Sequence, residues 1–168
     1  WVYWQGSPEQ FAEMIRIGAR AVKEADPDAR VVLGGVAYSE EFVAKMFRDF
    51  GLSPYIDIVN MHNYFETWSE RPVEDIDDHI LKMTDVIRQY GNRQPLWMAE
   101  VGYSTFRQGS KISSEYTAYY DYEHTPEYQA VDLFKRLALI VSTEKISAVA
   151  WYEISDLPPS DEVTGDEY

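Results

Sequence analysis

Glu100 closes an apolar run, Pro95-Leu-Trp-Met-Ala-Glu-Val-Gly-Tyr103, and a glycine follows it two positions later. Hydrophobic residues leading into one carboxylate, then a turn, describe a buried strand that delivers an acid to a cavity. Such an acid can attack as a nucleophile or move a proton, and burying it is costly unless partners hold it. Two other apolar runs end in matching chemistry, one at His62-Asn63-Tyr64 and one at Trp151-Tyr152. The Tyr64 hydroxyl can donate to a neighbouring carboxylate and fix it. An indole at Trp151 offers the flat apolar surface on which a sugar ring packs. Together these residues suggest a sugar-cleaving pocket.

Strand parity sharpens the expectation. Ile56, Ile58, Asn60, His62 and Tyr64 share one side of an extended chain, as do Leu96, Met98 and Glu100, and as do Val149 and Trp151. Early positions are apolar and late ones polar, as for strands leaving a packed interior at an open mouth. Each residue also has a plain structural explanation. His62 can be a satisfied buried histidine, Glu100 a solvated strand-end acid and Trp151 a core residue. Glu153 is a second possible pocket acid, for which a loop carboxylate is the better account. Metal chemistry is not expected, since His79 and His124 fall in a helix and a loop and no H-E-x-x-H pattern occurs. No G-x-S-x-G elbow supports a serine nucleophile, and no cofactor is implied.

The elements that must position these residues are legible as an alternation. Ser7-Pro8-Glu9-Gln10 opens a first helix with Phe11, Met14, Ile15, Ala19 and Val22 at helical spacing, stopped by Asp26-Pro27. Arg30–Gly35 reads as a buried strand. A second helix runs from Ser39 to about Phe50 with Phe42, Met46 and Phe47 inward, and Gly51 ends it. Tyr55–His62 reads as the second strand. Pro72 opens a third helix with Ile76, Ile80, Met83 and Ile87 inward and Gly91 as its stop. Pro95–Val101 is the third strand, followed by a polar, tyrosine-rich loop (Gly102–His124) carrying Tyr116, Tyr119, Tyr120 and Tyr122. Thr125-Pro126-Glu127 opens the fourth helix, with Leu133, Leu137, Ile140 and Val141, and Ile146–Tyr152 is the last strand. The acidic stretch Asp156–Tyr168 reads as loop.

Strands alternating with helices predict an α/β fold with a parallel sheet, and nearly continuous apolar strands predict burial on both faces. A doubly wound sheet would want a phosphate-binding glycine turn, and Gly34-Gly35 lacks that spacing. A (β/α)8 TIM-type barrel instead wants polar residues at the carboxyl ends of several strands, which is the pattern here. A full barrel takes about 250 residues. The 168 residues supply four strand-helix units, so residues 1–168 are expected to form one barrel portion, its C-terminal half, with the upstream half absent. The outer strand edges of such a piece would invite self-association.

Composition narrows the partners. With 15 Lys and Arg against 29 Asp and Glu, the formal charge of −14 disfavours nucleic acid. The absence of cysteine excludes disulfide and thiolate chemistry. The longest aliphatic stretch, Leu137–Val141, is too short to span a membrane. Aromatic residues make up 15%, including 13 Tyr and 5 Trp, which favours surfaces that grip sugar rings.

With these residues in view, the chain resembles the retaining (β/α)8 glycoside hydrolases that carry catalytic glutamates on strands four and seven, the cellulase, mannanase and xylosidase-like superfamily. His62-Asn-Tyr64 looks like the sixth-strand H-x-Y, Trp97-Met-Ala-Glu100-Val-Gly102 the seventh-strand W-x-T-E-x-G, and Ala148-Val-Ala-Trp151-Tyr152 the eighth-strand end. The opening Trp1–Glu9 resembles the loop and helix after the fourth strand. The resemblance implies Glu100 as nucleophile, Tyr64 as its hydrogen-bonding partner and His62 as a pocket-shaping residue. Trp151, Asn63, Tyr103 and Tyr152 are then implied at the sugar. It also implies an oligosaccharide or polysaccharide substrate and, by class, an exported protein. Ala99 stands where the family carries Thr or Ser. The family's acid/base lies in an Asn-Glu pair, and no such dipeptide occurs in the chain; by register it belongs just before Trp1. A carbohydrate-binding barrel without catalysis is the alternative. A barrel acting on phosphorylated sugars is weaker, because the acidic Asp156–Tyr168 stretch offers no phosphate grip.

Overall fold

The computed structural model of the chain describes residues 4–105 and 121–154. Helix α1 (Pro8–Ala25) starts at a reciprocal box, in which Ser7 Oγ accepts the Gln10 amide and Gln10 Oε1 accepts the Ser7 amide. Helix α2 (Glu40–Arg48) is capped by Ser39. It closes through the Gly51 amide on the Phe47 carbonyl and the Leu52 amide on the Met46 carbonyl, a turn that needs the Gly51 φ of 62°. Helix α3 (Ile76–Tyr90) buries Ile76, Ile80, Met83 and Ile87 at helical spacing. Each such side chain taken out of water contributes about 1.5–3 kcal/mol. Helix α4 (Pro126–Ser142) is capped by Thr125, which accepts the Tyr128 amide.

Three parallel strands, β1 (Val59–Asn63), β2 (Leu96–Val101) and β3 (Ile146–Trp151), lie side by side in that order. Helix α3 connects β1 to β2 and α4 connects β2 to β3, the crossover that parallel neighbours require. Val59, Met61, Met98 and Val101 meet Phe42, Met46, Ile80 and Met83 in one apolar core. The arrangement is α/β. The chain leaves β3 through a cis Tyr152–Glu153 peptide bond. Among the described residues no helix is long and apolar enough to cross a membrane.

Three expectations about the elements are corrected. Arg30–Gly35 is not a continuous strand. It runs beside β1 and touches it through isolated parallel bridges, Val32 to Ile58 and Val36 to Met61. Gly34-Gly35 breaks the ladder there, and a side chain on Gly35 would overlap the His62 ring. The second strand starts at Val59 rather than Tyr55, because Ser53-Pro54-Tyr55 forms a 3₁₀ turn and Pro54 has no N–H to give a ladder.

The third correction concerns burial. The core of β3 is exposed, with Val149 at 37%. Met14 and Val22 of α1 and Val141 of α4, named for their helical spacing, also face outward, and Phe134 on α4 is 79% exposed. No described residue covers these surfaces. The Trp1–Tyr3 opening, the tyrosines at 116, 119 and 120, and the stretch from Asp156 onward lie outside the described residues.

Candidate active site

A single irregularity in β2 sets the site. Val59, Asn60 and Met61 pair with Leu96, Trp97 and Met98, but His62 pairs with Glu100, so Ala99 is an extra residue. Such a bulge re-aims the side chain that follows it. Its loose amide is taken by Asn60 Oδ1 at 3.0 Å. Paired residues on parallel strands share a face. Glu100 therefore sits on the face of Asn60, His62 and Trp97, and not with Leu96 and Met98 as parity alone predicts.

On that face three groups meet. The Tyr64 hydroxyl donates to Glu100 Oε2 at 2.9 Å, and His62 Nδ1 lies 3.2 Å from the same oxygen. The Asn60 amide orients the imidazole. Its oxygen is committed to Ala99, so its nitrogen is the group facing His62 Nε2, at 3.5 Å. Nε2 is then the acceptor and Nδ1–H the donor to Glu100. Burial pushes the His62 pKa down and outweighs the Glu100 charge, so the contact is a neutral hydrogen bond rather than an ion pair. Burial and the Glu100 charge push the Tyr64 hydroxyl far up, so it remains a donor throughout the working pH range. One carboxylate oxygen is thus held by two neutral donors. The other, Oε1, carries no hydrogen bond among the described residues, and the side chain is 38% exposed. A carboxylate fixed on one oxygen and open on the other can attack an electrophile or exchange a proton.

Tight packing holds these donors. The Tyr64 amide donates to the Tyr38 hydroxyl at 2.9 Å, and the Tyr64 ring lies against Trp68 with centroids 4.3 Å apart. Gly102 permits the close approach of β3. A side chain there would overlap the Tyr152 carbonyl oxygen and press on the Tyr64 ring.

Three residues expected at the sugar lie away from the Glu100 carboxylate. Trp151 pairs with Val101 and packs against the apolar core, on the face opposite Glu100. β3 keeps its alternation from Val149 to Trp151, so the bulge in β2 leaves Glu100 and Trp151 on opposite faces. The next residue, Tyr152, is the one whose phenol lies close enough to Tyr64 to oppose its ionisation. Asn63 is fully buried, its amide between His79 Nδ1 at 3.0 Å and Arg136 Nη1 at 2.9 Å. It alternates with His62 and so faces the helices. Tyr103 is also fully buried, donating to the Glu123 carbonyl and stacking on His124. Glu153 is half-buried, with Oε1 shielded from solvent and without a hydrogen bond among the described residues.

Sequence reasoning missed a polar cluster beneath the site. Arg136 and Asp132 form a bidentate pair, buried on α4 where an apolar face is expected. Glu66, at a φ of 65°, accepts the Val73 amide and the Tyr128 hydroxyl, and burial pushes its carboxyl up. The only available signal is the spacing of Asp132 and Arg136 at i and i+4, which usually marks an exposed pair.

No family model and no curated protein sequence matches this chain. Solved structures do share its fold. The GH2 β-galacturonidase from Eisenbergiella tayi, bound to galacturonate, matches at TM-score 0.62 and 18% identity over 89% of this chain and 24% of its own. The β-D-glucuronidase of Dictyoglomus thermophilum matches at 0.63 and 13% over 90% and 24%. The GH51 arabinofuranosidase from Xanthomonas axonopodis pv. citri matches at 0.62 and 14% over 89% and 34%. The chain therefore spans a quarter to a third of the length of these glycoside hydrolases. At such identities the likeness is one of fold.

Proposed function

We propose that this chain is the C-terminal half of a (β/α)8-barrel glycoside hydrolase that cleaves O-glycosidic bonds with retention, and that Glu100 is its nucleophile. The observation that carries the reading is the Glu100 carboxylate, held on Oε2 by Tyr64 and His62 with Oε1 open. Three fold neighbours whose names describe glycosidases support the substrate class. The uncovered apolar surfaces of α1, α4 and β3 support the half-barrel reading, since further strand-helix units would cover them.

In this mechanism Oε1 attacks the anomeric carbon as the bond to the leaving oxygen breaks. A second carboxyl, about 5–5.5 Å away, protonates that oxygen and then activates the water that releases the sugar. The second carboxyl comes from the part of the barrel outside residues 1–168. Hydrogen bonds to a charged group contribute about 1.5–3 kcal/mol each, enough for Tyr64 and His62 to fix the orientation of the attacking carboxylate. Tyr152 borders the sugar in place of Trp151.

The full-length protein, given a panel of aryl glycosides and followed by proton NMR, is expected to release a first product with the anomeric configuration of its substrate. An inverted first product contradicts the mechanism. Sugar binding without hydrolysis replaces the enzyme with a carbohydrate-binding barrel.

A further inference from the structure

Arg136 is completely buried, and its guanidinium reaches the ends of two strands at once. Nε and Nη2 bind the two Asp132 oxygens at 2.8 and 2.9 Å, Nη1 donates to Asn63 Oδ1 at 2.9 Å, and Nη2 donates to the Phe65 carbonyl at 3.0 Å. Asn63 and Phe65 flank Tyr64. The same guanidinium lies 6.0 Å from the ring centre of Tyr103, three residues beyond Glu100.

Stability alone does not account for this group. A buried ion pair can often be replaced by apolar residues of similar volume at no cost. An apolar side chain at 136 would fill the space yet leave the Phe65 carbonyl without its donor and the Asn63 amide oxygen with only the Phe65 amide, at 3.3 Å. A lysine would satisfy Asp132 but cannot fork to both remaining acceptors. What the guanidinium adds is a fixed direction for the backbone on both sides of Tyr64.

We infer that Arg136, held by Asp132, is a positioning residue for the reaction: it locks the Asn63–Phe65 bend so that the Tyr64 hydroxyl stays on Glu100 Oε2. The inference rests on the proposed glycosidase reading for its kinetic effect, but not for its structural one. Arg136 touches neither substrate nor Glu100. It acts through Tyr64.

The test uses the full-length protein with 3-fluorotyrosine installed at position 64 and fluorine NMR as the readout. Glu100→Ala, in the same labelled protein, gives the resonance of a phenol without its acceptor. Arg136→Lys keeps a partner for Asp132, and the double variant Arg136→Met with Asp132→Leu removes both buried charges. Both are expected to fold by circular dichroism. In both, the fluorine resonance should move toward the Glu100→Ala position. On an aryl glycoside, kcat should fall about 10-fold while KM stays within about twofold, the mark of a misplaced catalytic group.

An unmoved resonance with kcat unchanged in folded variants overturns the inference. Loss of fold in both variants does so too, because the pair is then purely structural. A moved resonance in a protein that hydrolyses no glycoside leaves the positioning of Tyr64 intact and sinks the glycosidase reading instead.

Discussion

Glu100→Ala in the full-length protein is expected to lower kcat on an aryl glycoside by about three orders of magnitude or more, because no other group can form the covalent intermediate. The loss should be chemical rather than structural. Glu100 is a partly exposed end-of-strand acid, and His62 and Tyr64 remain packed by Gly35, Trp68 and Tyr38 when it is gone. Azide, small enough to occupy the space left by the carboxylate, should therefore restore cleavage and yield a glycosyl azide. Glu100→Gln keeps the shape but offers azide no room, and should stay inactive. Activity within tenfold of wild type in Glu100→Ala would mean that another acid attacks.

The second large effect is one of stability. Asp132→Ala strands the Arg136 guanidinium, which has no exposure, with two of its four hydrogen bonds gone. Burial pushes the Asp132 carboxyl up while the Arg136 guanidinium opposes that shift, so the pair is worth much less than its Coulomb attraction alone. Breaking one side is another matter. An uncompensated buried charge costs about 3–5 kcal/mol. Urea unfolding of the full-length protein should show this loss for Asp132→Ala and a far smaller one for the charge-free double variant Arg136→Met with Asp132→Leu. Equal losses in both would show that volume, not charge, matters at this position.

Much of the frame is written in local sequence. Ser7 and Gln10 cap α1 as their spacing requires, and the isoleucines of α3 face the core because helical periodicity has no rival over fifteen residues. The grouping of Glu100 with Tyr64 and His62 is also readable, as three polar ends on apolar strands. Facing is not. Parity counts residues along one strand, whereas facing depends on register with the next, and one bulge at Ala99 reverses it for Glu100. Trp151 keeps the parity of Val149, and it is the turned Glu100 that leaves it on the opposite face. Asn63 and Tyr103 read as pocket residues because they neighbour ones that are. Asn63 is held by Arg136 and His79, and Tyr103 by His124 and Tyr128, partners distant in sequence that no local pattern encodes. The broken Arg30–Gly35 segment is a further case. Its valines bridge at Val32 and Val36 on either side of Gly34-Gly35, where the His62 ring leaves no room for a side chain on Gly35.

The most direct test of the account is where a sugar becomes attached. The full-length protein, treated with a panel of 2-deoxy-2-fluoro glycosyl fluorides and digested for mass spectrometry, is predicted to carry the fluorosugar on the peptide containing Glu100, with fragmentation placing it on that side chain. A fluorosugar on any other residue, or steady turnover with Glu100 unmodified, would contradict it.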